Sequence, residues 1–184
     1  MVENELLDWT LGDVPLGDDL LELGAGTGTV TAHLCGHVRR LTAVDIERAS
    51  LIRLQAGSAS DAGWSRSGDS SGSRVRPVCA DAVALPFATG MFSGVVAFTM
   101  LHHVAGRERQ RLLLSEARRV LRPGGTFVGC DPVWTLGVRL FHVGDTFEPV
   151  APNRLADDLG AAGFDAVDVF SAGRYLRWRA RRCG

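Results

Sequence analysis

Short apolar runs of strand length alternate along this chain with stretches whose apolar side chains recur at helical spacing, the pattern of βαβ units and a parallel sheet. Residues 19–23 (DLLEL) read as a strand that runs into glycines, and a helix is expected over 29–35. A second strand at 41–44 precedes a helix from about 47 to 55, and further buried strands are expected at 75–79 and 92–98. Between Arg107 and Leu121 the apolar set Leu113, Leu114, Ala117, Val120 and Leu121 keeps helical spacing, while Arg107, Arg111, Arg118 and Arg122 share another face that reads as solvated. Pro123, Gly124 and Gly125 should stop that helix, and 126–130 reads as the next strand. Asn153 is the expected N-cap of a helix through Ala162, with Gly163 just past its end. The last segments, 165–171 and 174–181, alternate like an antiparallel pair, with Leu176, Trp178 and Ala180 on one face and Arg177, Arg179 and Arg181 on the other.

One stretch lacks any period. Residues 56–73 hold seven serines and four glycines, with Trp64 the only large apolar side chain, and are expected to form a mobile surface loop. With no internal repeat and no second core pattern, residues 1–184 are expected to form a single domain in which 1–18 make a short N-terminal cap.

Composition narrows the class. The 184 residues are 46% hydrophobic and 22% charged with a net charge of −1, a globular profile that excludes disordered and collagen-like chains. The longest nearly apolar stretch, residues 94–101, is far shorter than the ~18 residues a membrane helix needs. Cys35, Cys79, Cys130 and Cys183 are widely spaced, so neither a zinc site nor a disulfide framework is expected. Glu3, Glu5 and Asp8 stand where a secretory leader would be basic and then apolar, so a cytoplasmic setting is expected. All 20 basic residues are arginine.

The candidate chemistry sits at residues 20–30, LLELGAGTGTV. A strand there enters Gly24, Gly26 and Gly28, and a helix follows at once, so bare backbone amides and the positive end of a helix face whatever lies above the turn. The spacing G-x-G-x-G differs from the dinucleotide fingerprint G-x-G-x-x-G, and a chain without lysine cannot form a P-loop. Asp45 ends the second strand beside this turn, where a carboxylate can accept both hydroxyls of a ribose; the same residue also suits a helix N-cap. Asp81 follows the third strand, where it can accept from an adenine amino group or cap a local turn.

Together with GMFSGVVAFTMLHHV, ARRVLRPGGTFVGCDP and AAGF, these stretches resemble the class I S-adenosylmethionine-dependent methyltransferases, particularly their small-molecule branch, over residues 19–181. The resemblance implies a three-layer α/β Rossmann-like sandwich. Its seven-stranded, mostly parallel sheet would have strand order 3-2-1-4-5-7-6, with strand 7 antiparallel and helices on both faces. It also implies a cofactor-contacting set of Glu22, Gly24, Ala25, Gly26, Thr27, Gly28, Asp45, Ile46, Asp81, Ala82 and Phe98. Glu22 to Gly28 would line the methionine end, Asp45 would hold the ribose, Asp81 and Ala82 would flank the adenine, and Phe98 would touch the cofactor where strand four ends. Ser93 departs from the family, which usually carries Asp after Phe at the start of strand four.

The implied reaction is transfer of the S-adenosylmethionine methyl group to a nucleophilic atom of a small metabolite, leaving S-adenosylhomocysteine. Orientation alone can lower such a barrier by ~7–11 kcal/mol, so no obligatory triad is expected. His102 and His103 are the catalytic candidates, one of them as a base; a packing role is the alternative. Asp131, His142, Asp145 and Glu148 follow strand five, where relatives build substrate pockets, and read first as ordinary solvated polarity. Trp134 and Phe141 could wall an apolar substrate or sit in the core. No metal is expected, and the protein is expected to be a monomer or homodimer. Three other readings stay open: an RNA methyltransferase using the Arg face of 107–122 and the set Arg177, Arg179, Arg181 and Arg182; a non-catalytic cofactor-binding subunit that activates a partner; and a nicotinamide dehydrogenase. The balanced charge argues against a nucleic-acid partner.

Overall fold

A computed structural model describes residues 2–57, 74–133, 148 and 150–184. Along the chain these form α1 (Val2–Leu11), β1 (Asp19–Leu23), α2 (Thr29–Leu34), β2 (Arg40–Asp45), α3 (Arg48–Gly57), β3 (Arg74–Cys79) and β4 (Phe92–Phe98). A short 3-10 turn (Leu101–His103), α4 (Arg107–Val120), β5 (Leu121–Pro132), α5 (Pro152–Ala161), β6 (Asp165–Ala172) and β7 (Tyr175–Arg181) follow. Residues 58–73 of the expected 56–73 loop, with Trp64, and the residues Trp134, Phe141, His142 and Asp145 lie outside the described residues.

The seven strands form one sheet in the order β3-β2-β1-β4-β5-β7-β6. β1 through β5 pair in parallel, and β7 runs antiparallel to both β5 and β6. The order and the reversal of β7 agree with the expected class I methyltransferase sheet. Strand alternation distributes the core. Leu21, Leu23, Val95, Ala97 and Phe127 bury one face beneath Leu113, Leu114 and Ala117 of α4 and Leu155 and Leu159 of α5. Leu20, Leu41, Ala43, Val96 and Val128 bury the other, against Leu7 of α1, Leu34 of α2 and Leu51 and Leu54 of α3. Because β1 is buried on both faces, its even-numbered polar member, Glu22, has to lie under the second helical layer.

The stretch expected as a short N-terminal cap contains α1, its Leu7 buried in the second core. Four local expectations need correction. α3 runs on through Ala56 and Gly57, the first two residues of the stretch expected to be loop. α4 ends at Val120 rather than Leu121; Leu121 already pairs with Phe92, and the ladder resumes at Gly94 with Thr126 after an irregularity that absorbs Pro123, Gly124 and Gly125. Asn153 is not the N-cap of α5: Ala151 takes that place, extended, with Pro152 as the first helical residue. The other end of α5 follows expectation, since Gly163 at φ +88 donates to the Gly160 carbonyl and Phe164 to the Leu159 carbonyl, a Schellman closure.

The fourth correction concerns the arginine face, which does more than meet solvent. Arg107 and Arg111 converge on the buried Asp158 of α5, Arg118 donates to the Gly163 carbonyl, and Arg122 pairs with Asp19. Arg182 donates to the carbonyls of Arg118, Arg119 and Leu121, closing the C-terminal end of α4. The family-atypical Ser93 also has a job. Its hydroxyl accepts from the Asp19 amide at 2.9 Å and reaches the Leu16 carbonyl at 2.8 Å, pinning the entry to β1 against β4.

Candidate functional site

In open parallel sheets, ligands gather beyond the carboxyl ends of the strands. A cavity of about 790 Å³ opens at that edge. Its floor is the turn between β1 and α2, where the Gly24 and Ala25 amides donate to the Val44 carbonyl and tie the turn to β2. Gly24, Gly26 and Gly28 all take positive φ, the left-handed region that side chains disfavour. A Cβ on Gly24 would stand 2.6 Å from that of Met100, whereas one on Gly26 would meet open space. The backbone at Gly26 therefore faces the cavity bare.

Asp45 closes the next side. Its Oδ2 accepts from the Gly26 amide at 2.7 Å and its Oδ1 from the Glu47 amide at 2.8 Å. One carboxylate thus braces the glycine turn and closes an Asx turn onto Glu47, whose own carbonyl accepts the first amides of α3, so Asp45 is not the N-cap of that helix and its carboxylate stands on the cavity wall. Ile46 beside it is 63% exposed, the most exposed large apolar side chain among the described residues, and it lines the same space. Asp81 and Ala82 form the wall beyond. The Asp81 carboxylate accepts from the Val83 amide at 3.1 Å and from Arg109 of α4 at 2.7 Å.

Of the residues expected at the site, Gly24, Ala25, Gly26, Thr27, Asp45, Ile46, Asp81, Ala82, Phe98 and His103 line the cavity. Glu22, Gly28 and His102 stand behind its wall. Glu22 is 1% exposed and accepts from the Thr31 hydroxyl at 2.6 Å. Burial pushes its carboxyl up to about 7, the Thr31 bond works in the opposite direction, and the Asp45 charge adds to the rise. The Cβ direction of Gly28 is taken by Leu54, 3.0 Å away. His102 is buried against Asp131, which accepts its amide at 2.8 Å and lies 3.2 Å from its Nδ1. Its ring packs on His103 with centroids 4.1 Å apart. Of the adjacent histidines, then, one is anchored and the other reaches the cavity.

Several wall residues escaped the sequence reading. Leu6 and Leu7 come from α1, Met100, Val104 and Ala105 from the segment after β4, Arg109 from α4 and Tyr175 from the start of β7. Thr99, also in the wall, holds φ +47 while its amide donates to the Cys130 carbonyl at 2.8 Å. A β-branched residue in that region carries strain of order 1–3 kcal/mol, a mark of sites where the surroundings dictate the backbone. The one signal within reach was the reversal of β7, which carries its first residue to the edge where the parallel strands end.

Behind this wall, Gln110 of α4 donates to the carbonyls of Leu101, Val104 and Glu148. Glu148 in turn donates its amide to His102 and accepts the Gly106 amide on its carboxylate. The loop carrying His103 is thereby fastened at several points, and Asp131 and Glu148 prove to be structural ties rather than solvated polarity. Among the described residues no cluster of three or more potential metal ligands occurs. No helix among them is long and apolar enough to cross a membrane.

A family model described as "Methyltransferase domain" matches residues 21–129. Among curated proteins, the chain is 32% identical over 162 residues to O-methyltransferase cnsE of Penicillium expansum, covering 83% of this chain and 54% of that one. It is 35% identical over 114 residues to demethylmenaquinone methyltransferase of Mycolicibacterium vanbaalenii, covering 62% and 42%. The chain spans about half the length of the curated relatives it matches. Its fold is similar to that of an S-adenosylmethionine-dependent methyltransferase from Mesorhizobium loti, with a TM-score of 0.74 at 18% identity over 99% of this chain and 98% of that one.

Proposed function

The chain belongs to the methyltransferase domain family, and from that premise we propose that it binds S-adenosylmethionine in the cavity and directs its methyl group to a small-molecule acceptor. The observation that carries this reading is the convergence of the bare Gly26 backbone, the Asp45 carboxylate and the exposed Ile46 on one space. Each matches a part of the cofactor. The bare glycine backbone admits close approach of the amino-acid end, Asp45 suits a pair of ribose hydroxyls, and Ile46 and Ala82 offer flat apolar contact to adenine. Asp81 supplies an acceptor for an exocyclic amine at the same end.

When bound, S-adenosylmethionine supplies a methyl group on a sulfonium, electrophilic enough that the protein need only align the acceptor and exclude water. The chain's residues meet those needs. Leu6, Leu7, Met100 and Val104 give the cavity an apolar wall for the acceptor, and His103, held by the fastened loop, is the one candidate catalytic residue that reaches the cavity. A hydroxyl acceptor would give its proton to that imidazole as the new bond forms.

A small acceptor is favoured over RNA because Arg107, Arg111, Arg118, Arg122 and Arg182 are committed to bonds within the fold. The names of the two curated relatives, which act as O-methyltransferase and demethylmenaquinone methyltransferase, support the same choice. The test is calorimetric titration with S-adenosylhomocysteine. Asp45→Ala removes charge-assisted bonds of about 1.5–3 kcal/mol each, so affinity should fall at least tenfold. Unchanged affinity would refute the ribose role, and no binding by the native chain would refute the reading as a whole.

A further inference from the structure

We propose that Tyr175 selects the methyl acceptor, its ring walling and its phenol hydroxyl hydrogen-bonding a neutral, largely apolar molecule that carries a hydroxyl group. This rests on the methyltransferase reading above and adds to it the class of acceptor.

The argument begins with sheet polarity. Parallel strands bring only their carboxyl ends to the site edge, so the residues they supply there follow their strands. β7 is reversed, and its register sets Tyr175 opposite Pro132, at the end of β5. The first residue of β7 therefore arrives at the edge where the other strands finish, and Tyr175, the single tyrosine of the chain, lines the cavity there. Two residues on, Arg177 shares its side of β7. The Arg177 guanidinium donates to the Trp9 carbonyl of α1 and lies 4.9 Å from the Trp9 ring centroid. The strand that carries Tyr175 thus also fastens the helix that carries Leu6 and Leu7, and the two walls are set by one element.

The distribution of charge around the cavity gives the acceptor's character. Its charged wall residues, Asp45, Glu47, Asp81 and Arg109, come from β2, the turns after β2 and β3, and the start of α4, and Arg109 is paired with Asp81. The opposite side, among the described residues, offers Leu6, Leu7, Met100 and Val104, with Tyr175 and His103 as its ring-bearing polar groups. Among the described residues of that side nothing matches a phosphate or a carboxylate, which would call for a guanidinium. An apolar body with a hydroxyl finds both of its needs met, and a wall that hydrogen-bonds a hydroxyl discriminates against the analogue lacking it.

The experiment uses the full chain saturated with S-adenosylhomocysteine and titrated with 2-naphthol, a flat apolar ring with one hydroxyl, and with naphthalene, which lacks it. The native protein should bind 2-naphthol more tightly than naphthalene. Tyr175→Phe should weaken 2-naphthol at least fivefold, leave naphthalene within twofold, and leave S-adenosylhomocysteine affinity within twofold; Tyr175→Ala should weaken both rings. If 2-naphthol fails to bind while S-adenosylhomocysteine binds, or if Tyr175→Phe leaves 2-naphthol affinity within twofold, the assignment of Tyr175 is overturned and the cofactor reading stands. If S-adenosylhomocysteine itself does not bind, both fall, and the first titration distinguishes the two cases.

Discussion

Glu22 is a carboxyl in a place that does not suit a charge. It is 1% exposed, on a strand buried on both faces, with the Thr31 hydroxyl as its hydrogen-bond donor and Asp45 adding like charge from beyond. Burial raises it from 4.5 to about 7. Between those two values the folded chain holds a proton that the unfolded chain has lost, so stability falls as pH rises through the window and levels off above about 7. A displacement of that size corresponds to about 3 kcal/mol in full, of which about 2–3 kcal/mol lies between pH 5 and pH 8. Glu22→Gln keeps an acceptor for Thr31 and has nothing to ionise. Urea unfolding of both proteins at the two pH values isolates the effect, because any packing cost of the amide is the same at each pH and cancels. The variant should gain about 2–3 kcal/mol on the native chain between pH 5 and pH 8. A gain below about 0.5 kcal/mol would mean that Glu22 ionises in the folded chain close to its ordinary value, and the argument from burial would fail.

Asp19 provides the opposite sign: Arg40 foremost, with Arg122, lowers its carboxyl to about 2 against the opposing effect of burial. Its contribution to stability should be complete above about pH 4 and vanish as pH falls through 2, so the advantage of the native chain over Asp19→Asn should shrink between pH 6 and pH 2.5; a constant advantage would contradict the ion pairing. Gly129→Ala places a methyl against the Ala97 carbonyl and the Trp178 ring inside the β4–β5–β7 sheet. Overpacking of this kind costs roughly 1–3 kcal/mol or more, so thermal unfolding should move down by several degrees, and an unchanged midpoint would show that both the β4 backbone at Ala97 and the Trp178 ring can give way.

The centre of the parallel sheet is legible in the sequence because β1 and β4 are buried on both faces and written as nearly continuous apolar runs, whereas β3, at the edge, leaves Arg76 and Cys79 exposed. DLLEL followed by Gly24 states both the strand and the turn, and the residues of that turn do line the cavity. Less legible are features that depend on what packs across space. Leu6 and Leu7 fall in a stretch that reads only as a short cap until α1 is laid over the site, and nothing local distinguishes Glu22, behind the wall, from Asp45, on it. The two histidines show the same limit: either reads as the base or as packing, and only the buried carboxylate of Asp131 decides which is anchored. Asn153 misled because proline at the first helical position is an equally good start that needs no side-chain cap.

The use of arginine as the sole basic residue acquires a physical sense from the same packing. A guanidinium presents several donors in a planar fork, whereas an ammonium acts as a compact point charge. Arg182 spends one nitrogen on three carbonyls at the end of α4, and Arg119 joins Glu116 to the carbonyls of Leu85 and Phe87. Arg122 spans Asp19 and the Met91 carbonyl, linking the strand entries of β1 and β4. These contacts lie away from the cavity and join helix ends, strand entries and loops that the hydrophobic layers alone would leave free to shift. The sulfonium chemistry proposed here depends on alignment rather than on a reactive side chain, so a frame fastened at its element ends serves the reaction directly: it holds the turn of Gly24, the strand of Tyr175 and the loop of His103 in one fixed relation.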